Sequence, residues 1–164
     1  MGKSESVSIT DAFPLQFMDG VLDVVAGHEV YSFLDGFSGY NQIRMHTHNQ
    51  EKMAFVMEWG VFAAVVMMFG LKMALATFQR IIMEIFREYI LAFMHVFLDD
   101  FVVYNRREYH LDHLRMCFEK CRGSRLSLNP AKYAFGLMSG ALLRHIVSKE
   151  GVAMDSDKVT AFLQ

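Results

Sequence analysis

Residues 96–104 read VFLDDFVVY. Two carboxylates, Asp99 and Asp100, interrupt an apolar run, with Phe93, Met94 and Val96 just upstream. In one continuous strand, neighbouring side chains point to opposite faces, so the pair could not act together. At a hairpin tip both can reach one side, and Asp tolerates the left-handed backbone of tight turns. The stretch therefore predicts two short antiparallel strands that meet at the aspartates. Two readings of the acids stay open: they solvate a loop, or they belong to a site.

The flanking sequence predicts the rest of the architecture. Residues 14–26, PLQFMDGVLDVVA, place apolar side chains at helical spacing, with Pro14 in the first turn and Gly27 after the last. VYSFLD reads as a buried strand that ends at Asp35 and Gly36. KMAFVM and VFAAVVMM flank Glu58-Trp59-Gly60, a hairpin with a three-residue loop. The spacing predicts an amphipathic helix over 71–90 and another over 109–122, closed by Gly123. LSLNPAKYAF and ALLRHIVS read as strands separated by Gly140, and Asp155 as the cap of a helix cut short. This order predicts an α+β fold, an antiparallel sheet with helices on one face. At 164 residues the chain is one domain's worth.

Composition narrows the function. The net charge of −2 lacks the basic excess that phosphate binding draws on. A nucleic-acid role would need a local patch, bound metal or further basic domains. The apolar share is 53% and the mean hydropathy +0.21, which suggests a piece that packs against more protein. The longest apolar run, Val61 to Leu71, falls short of the roughly 18 residues of a membrane span. The start MGKSESVSIT lacks a secretory apolar core. The expectation is an intracellular chain, in cytoplasm or nucleus, with no membrane partner. Cys117 and Cys121 share a predicted helix with His110 and His113, but His110 and Cys121 would lie about 16 Å apart along its axis. One zinc cannot take all four, and packing as small apolar side chains is the better reading.

Asp35 is a third carboxylate at a strand end. It either caps a turn or joins Asp99 and Asp100. If the strands are neighbours, a carboxylate pair at about 4 Å repels by about 4 kcal/mol at an effective dielectric near 20. A divalent cation relieves this, and aspartate oxygens with one or two Mg²⁺ ions are the usual partner of phosphates. The residues thus point to metal-dependent phosphoryl chemistry without naming a substrate.

Six blocks carry more. YSFLDGFSGYNQI, EKMAFVMEWGVFAAVVMMFGLKMALATFQR, VFLDDFVVY, HLDHL, LSLNPAKYAF and LLRHIVSKEGV follow one another in the order and spacing of a reverse transcriptase. The chain resembles that part of the pol polyprotein of gypsy-type LTR retrotransposons, over residues 11 to about 164. The resemblance implies a right-hand polymerase palm with partial fingers over 11–154, after a loose segment 1–10 and before the start of a truncated thumb at 155–164. It implies Asp35, Asp99 and Asp100 as catalytic ligands of two Mg²⁺ ions (Mn²⁺ as a substitute), with Gly36 helping. Phe97 and Leu98 stand where Tyr and Val are usual. A primer 3′-hydroxyl on an RNA or DNA template would attack the α-phosphate of a dNTP.

The resemblance also implies Tyr40, Phe69 and Gly70 at the nucleotide, with Tyr40 excluding a 2′-hydroxyl. It implies Gln79 and Arg144 near template and primer, and Lys132 as a general acid toward pyrophosphate. The chain departs from the family pattern at Met68 and Leu75, in place of prolines, at Met73 in place of asparagine, and at Arg144 in place of glycine. Thumb and RNase H are expected as missing partner domains. The alternatives are an inactive transposon-derived relic and a protein-interaction module.

Overall fold

The computed structural model describes residues 18–36, 39–68 and 74–154. Helix α1 (Met18–Val25) leads into β1 (Val30–Asp35), followed by a one-turn 3-10 helix (Gly39–Gln42), the short helix α2 (Thr47–Gln50) and the hairpin β2 (Ala54–Met57) and β3 (Gly60–Ala63). Helix α3 (Ala74–Ile85) precedes the hairpin β4 (Met94–Phe97) and β5 (Asp100–Asn105). Helix α4 (His110–Gly123), a 3-10 turn (Pro130–Lys132), β6 (Ala134–Leu137), β7 (Ser139–Leu142), β8 (His145–Ser148) and β9 (Gly151–Met154) complete the order. The central sheet runs β4-β5-β1-β6, while β2–β3 and β7–β9 form sheets of their own.

Alternation along β1 and β5 sends side chains to two cores. Leu34, Phe101 and Val103 pack with Phe78, Ile82, Phe86, Leu114 and Cys117 of α3, α4 and the turn after α3. Tyr31, Val102 and Tyr104 pack with Val21, Leu22 and Val25 of α1 and with Leu142 and Val147 of the small sheet. The sheet is therefore covered on both faces, not one. Its central strands are apolar on both sides for that reason, and the sequence shows near-continuous apolar runs there.

Local differences from expectation have local causes. The β2–β3 loop holds two residues, Glu58 and Trp59, because Gly60 pairs with Met57. Helix α3 stops at Ile85, where the periodicity runs on to 90. Buried Phe86 meets Phe101 edge-on, and the amides of Phe93 and Met94 both donate to the Tyr89 carbonyl, which turns the chain back into β4. The left-handed residue that ends α4 is Arg125 (φ 54°), not Gly123. Asn129 caps a 3-10 turn by accepting from the Ala131 amide, so LSLNPAKYAF is strand only from Ala134. ALLRHIVS is two strands around a turn at Leu143 and Arg144, both with positive φ. Residues 14–17 and the helix start at Asp155 lie outside the described residues.

Cys117 and Cys121 are buried in α4, and loss of water pushes their thiols up to about 12 and about 11. They behave as small apolar side chains. The histidines of HLDHL do something else. His110 and Ser32 share a 2.7 Å hydrogen bond, His110 Nδ1 reaches Asn105 Oδ1 at 2.9 Å, and Asn105 Nδ2 reaches His113 Nδ1. The Gly136 amide donates to Ser32 Oγ. With His110 donating from Nδ1 and Ser32 donating to its Nε2, every member is satisfied by neutral imidazoles. The chain of bonds ties β1, β5, β6 and α4 together.

Burial, then the neighbouring His113, lowers the His110 pKa. Burial also lowers that of His113, against an opposing pull from Asp112. A base with a depressed folded pKa gives stability that is present above the unfolded value, about 6.5, and lost on acidification below it. Imidazole proton titration by NMR should therefore place both midpoints below the ordinary histidine value. Midpoints at or above that value would contradict the neutral network.

Candidate active site

Asp35 is the last residue of β1 and pairs in register with Asp100, the first of β5. Directly opposed residues share a face, so both carboxylates lie on the side of the sheet that carries Phe33 and Val102. Asp99 sits in the two-residue turn Leu98–Asp99 between Phe97 and Asp100. The Gly36 amide donates to the Asp99 carbonyl at 2.8 Å, which draws the turn onto the end of β1. A methyl group on Gly36 would stand 3.5 Å from Asp99 Oδ1. The opening pair is thus split in role: one acid is in the turn and the other on the strand.

Lys132 closes the group from a distant segment. Its Nζ lies 3.2 Å from both carboxylate oxygens of Asp35. The Asn129 amide donates to the Asp35 carbonyl at 2.8 Å and fixes the 3-10 turn that carries the lysine. Lys132 is therefore attached to the acidic site, not a lysine merely solvated in a turn.

The electrostatics are those of crowded acids. Burial, then the charges of Asp35 and Asp100, pushes the Asp99 carboxyl above the usual range, with Lys132 opposing. Asp100 is more open at its surface, yet surrounding protein still strips enough water to raise it first, and Asp35 second. Asp99 Oδ1 is buried without a hydrogen-bond donor. A buried anionic oxygen without a donor is costly, and a hard cation is the partner that suits it. The oxygen-only donor set of Asp35, Asp99 and Asp100 fits a magnesium-type ion. Even so, among the described residues no three acidic, histidine or cysteine side chains already converge as a metal cage. The Lys132 ammonium engages both oxygens of Asp35.

Chain similarity bears on this geometry. Residues 4–161 match the family described as reverse transcriptase (RNA-dependent DNA polymerase). The chain belongs to the reverse transcriptase family. It is 30% identical over 162 residues to the retrovirus-related Pol polyprotein from transposon 297 of Drosophila melanogaster, covering 98% of this chain and 15% of that one. It is 29% identical over 160 residues to the Pol polyprotein from transposon gypsy of the same species, covering 97% and 16%. An RNA-directed DNA polymerase homolog from Oenothera berteroana is 37% identical over 117 residues, covering 69% of this chain and 82% of that one. Among solved structures, the foamy viral protease-reverse transcriptase in complex with double-stranded DNA superposes with a TM-score of 0.87 at 16% identity, over 94% of this chain and 27% of that one. The chain thus spans about 15% of the length of the Pol polyproteins it matches, and the palm-type α+β fold is that of a reverse transcriptase.

Other residues that the reverse transcriptase resemblance singled out are placed as follows. The backbone of Tyr40 lies in the 3-10 turn Gly39–Gln42. Gln42 holds that turn by a two-point amide contact, accepting from the Ser127 amide at 2.6 Å and donating to its carbonyl at 2.9 Å. Phe69 and Gly70 lie outside the described residues, as does Met73. Arg144 is exposed at the tip of the β7–β8 turn with φ 68°, beside Leu143 at 50°. A turn with two left-handed residues is the natural place for glycine, which explains the family residue that Arg144 replaces.

Gln79 requires a correction. It is 1% exposed, which leaves no part of it for a template. Its Nε2 donates to the Val96 carbonyl at 3.1 Å, and its Oε1 accepts from the Leu98 amide at 2.7 Å. Strand β4 is a sheet edge, and the Gln79 carboxamide completes it as a neighbouring strand would. The turn it holds is strained: Leu98, not an aspartate, takes the positive φ of 55°. That conformation costs a leucine about 1–2 kcal/mol. Gln42, Gln79 and the Ser32–Asn105 network were missed as anchors. The one signal available was a polar side chain at an apolar helix position, as at Gln79.

Proposed function

We propose that the chain is the catalytic palm, with partial fingers, of an RNA-directed DNA polymerase within a longer Pol polyprotein. The observation that carries this is the buried, donor-free Oδ1 of Asp99 beside the opposed pair Asp35 and Asp100. The substrates are a dNTP and a primer annealed to an RNA or DNA template. Asp35, Asp99 and Asp100, with the Gly36 carbonyl, would hold two divalent cations, magnesium for preference and manganese as a substitute. When bound, such ions activate the attacking hydroxyl and stabilise the leaving pyrophosphate.

The chain's own residues supply position and charge. The hairpin turn aims Asp99 and Asp100 toward the end of β1, and no covalent nucleophile is required. Lys132, exchanging Asp35 for phosphate oxygens, supplies a proton or positive charge to pyrophosphate. Tyr40, Phe69 and Gly70 line the nucleotide, and Arg144 approaches the primer backbone. Residues 11–154 form this unit, and 155–164 open the thumb. The net charge of −2 leaves the grip on nucleic acid to other domains, thumb and RNase H among them. Hairpin β2–β3 exposes Val56, Trp59 and Val61 at 79%, 84% and 70%, which suits contact with further protein. No described helix is long and apolar enough to cross a membrane, and the reaction belongs inside the cell, in cytoplasm or nucleus.

The test combines melting and primer extension. With rising Mg²⁺ the melting temperature should climb, since a ligand that binds only the folded state stabilises it. Extension of a primed template should depend on Mg²⁺ or Mn²⁺ and fall to background in Asp100→Asn. A melting temperature that does not respond to Mg²⁺, or equal extension in both proteins, would overturn the reading.

A further inference from the structure

Gln79 does more for the site than complete an edge. The strand ends that bear Asp35 and Asp100 are held by sheet pairing, but Asp99 depends on the conformation of a two-residue turn. That turn begins at Leu98, whose left-handed backbone no glycine relieves. On the side of β5, β4 is fixed by the ladder that pairs Val96 with Phe101 and Phe97 with Asp100. On its outer side, the backbone groups of Val96 and Leu98 both meet the Gln79 carboxamide. Two residues apart along a strand edge, a carbonyl and an amide match the donor and the acceptor, respectively, of one carboxamide.

We propose that Gln79 is a positioning residue for the acidic site: its buried carboxamide, bound to the Val96 carbonyl and the Leu98 amide, sets the turn that presents Asp99. The inference rests on the polymerase reading of that site. It assigns to helix α3 a direct hold on the metal ligands, through backbone and without touching substrate. The hold is rigid because the amide is desolvated. Without it, Val96 and Leu98 would seek other partners and Leu98 would relax toward a negative φ. Asp99 would then swing away from the end of β1, where the Gly36 amide meets its carbonyl.

The experiment is magnesium-dependent melting of the chain, read as the Mg²⁺ concentration that gives half of the maximal rise. Supports of metal ligands commonly change metal affinity 10–100-fold when removed. Gln79→Met should raise that concentration about tenfold or more. Ile82→Val, a buried control in the same helix, should lower the melting temperature and leave the half-maximal concentration unchanged. Amide exchange at Leu98 should accelerate in Gln79→Met and not in the control.

If Gln79→Met fails to fold, Gln79→Glu carries the test. Its carboxyl still accepts from the Leu98 amide, but once ionised it cannot donate to the Val96 carbonyl. Its half-maximal concentration at neutral pH should therefore exceed the wild-type value. A Gln79→Met or Gln79→Glu protein with the wild-type half-maximal concentration at neutral pH would overturn the proposal. A wild-type chain that does not respond to Mg²⁺ would instead sink the polymerase reading.

Discussion

Asp99→Asn should raise the melting temperature of the chain measured without divalent cations by about 2–8 °C, and should abolish its rise with Mg²⁺. Both effects come from one atom. Asp99 Oδ1 is buried with no donor, and its carboxyl is pushed upward by burial and by Asp35 and Asp100. A raised acid pKa means that the folded state binds the proton more tightly than the unfolded one. Ionised Asp99 therefore destabilises the fold at neutral pH, and the penalty is relieved as pH falls through the folded value. A neutral amide of the same shape removes the buried charge, a gain of about 1–2 kcal/mol on the scale of an unsatisfied buried group. For a domain of this size that is about 2–4 °C per kcal/mol.

On the proposed role of Asp99 the same change removes a hard anionic ligand, so the metal response and any primer extension should fall to background. Stability gained where function is lost is the mark of a site selected for chemistry. A variant that melts lower than wild type, or that still responds to Mg²⁺, would refute this account of Asp99.

Gly140→Ala should cost about 3 kcal/mol or more, the upper range for forced overpacking, and lower the melting temperature by about 6–12 °C. A Cβ at Gly140 would fall 2.1 Å from Phe33 Cε2 and 2.6 Å from its Cζ. The backbone of β7 at Gly140 lies close against that ring, which in turn stacks on Tyr31 with centroids 6.3 Å apart. Phe33 precedes Asp35 by two residues and shares its face of the sheet. Displacing the ring should therefore disturb the acidic site as well as the β7–β9 sheet. Phe33→Leu in the same chain should recover part of the loss, because the two changes act on one contact and need not add. Unfolding midpoints of the two single variants and the double one check this. Independent, additive losses would show that the contact is not what makes Gly140 necessary.

Much of this molecule is written locally. The apolar runs on either side of Asp99 and Asp100 and the helical spacing in 109–122 each name an element from its own residues, because apolar side chains must be buried whatever they pack against. The HLDHL helix and the hairpin with its acids followed from that pattern, and the family blocks added the partnership of Asp35 with the pair.

What the pattern could not hold is everything that depends on contact between distant segments. Lys132 lies 97 residues from Asp35, Ser32 78 from His110, and Gln79 19 from Leu98. None of these pairs has a periodicity, and the template-side role that the resemblance implied for Gln79 yields only when its carboxamide is seen spanning a strand edge. The same holds for coverage of the sheet. Apolar runs in β1 and β5 demand burial, but only packing assigns α1 and the β7–β9 sheet to the second face. Local order comes from side-chain alternation, which a chain carries in itself; a site of opposed charges needs strands brought together, and only the folded backbone does that.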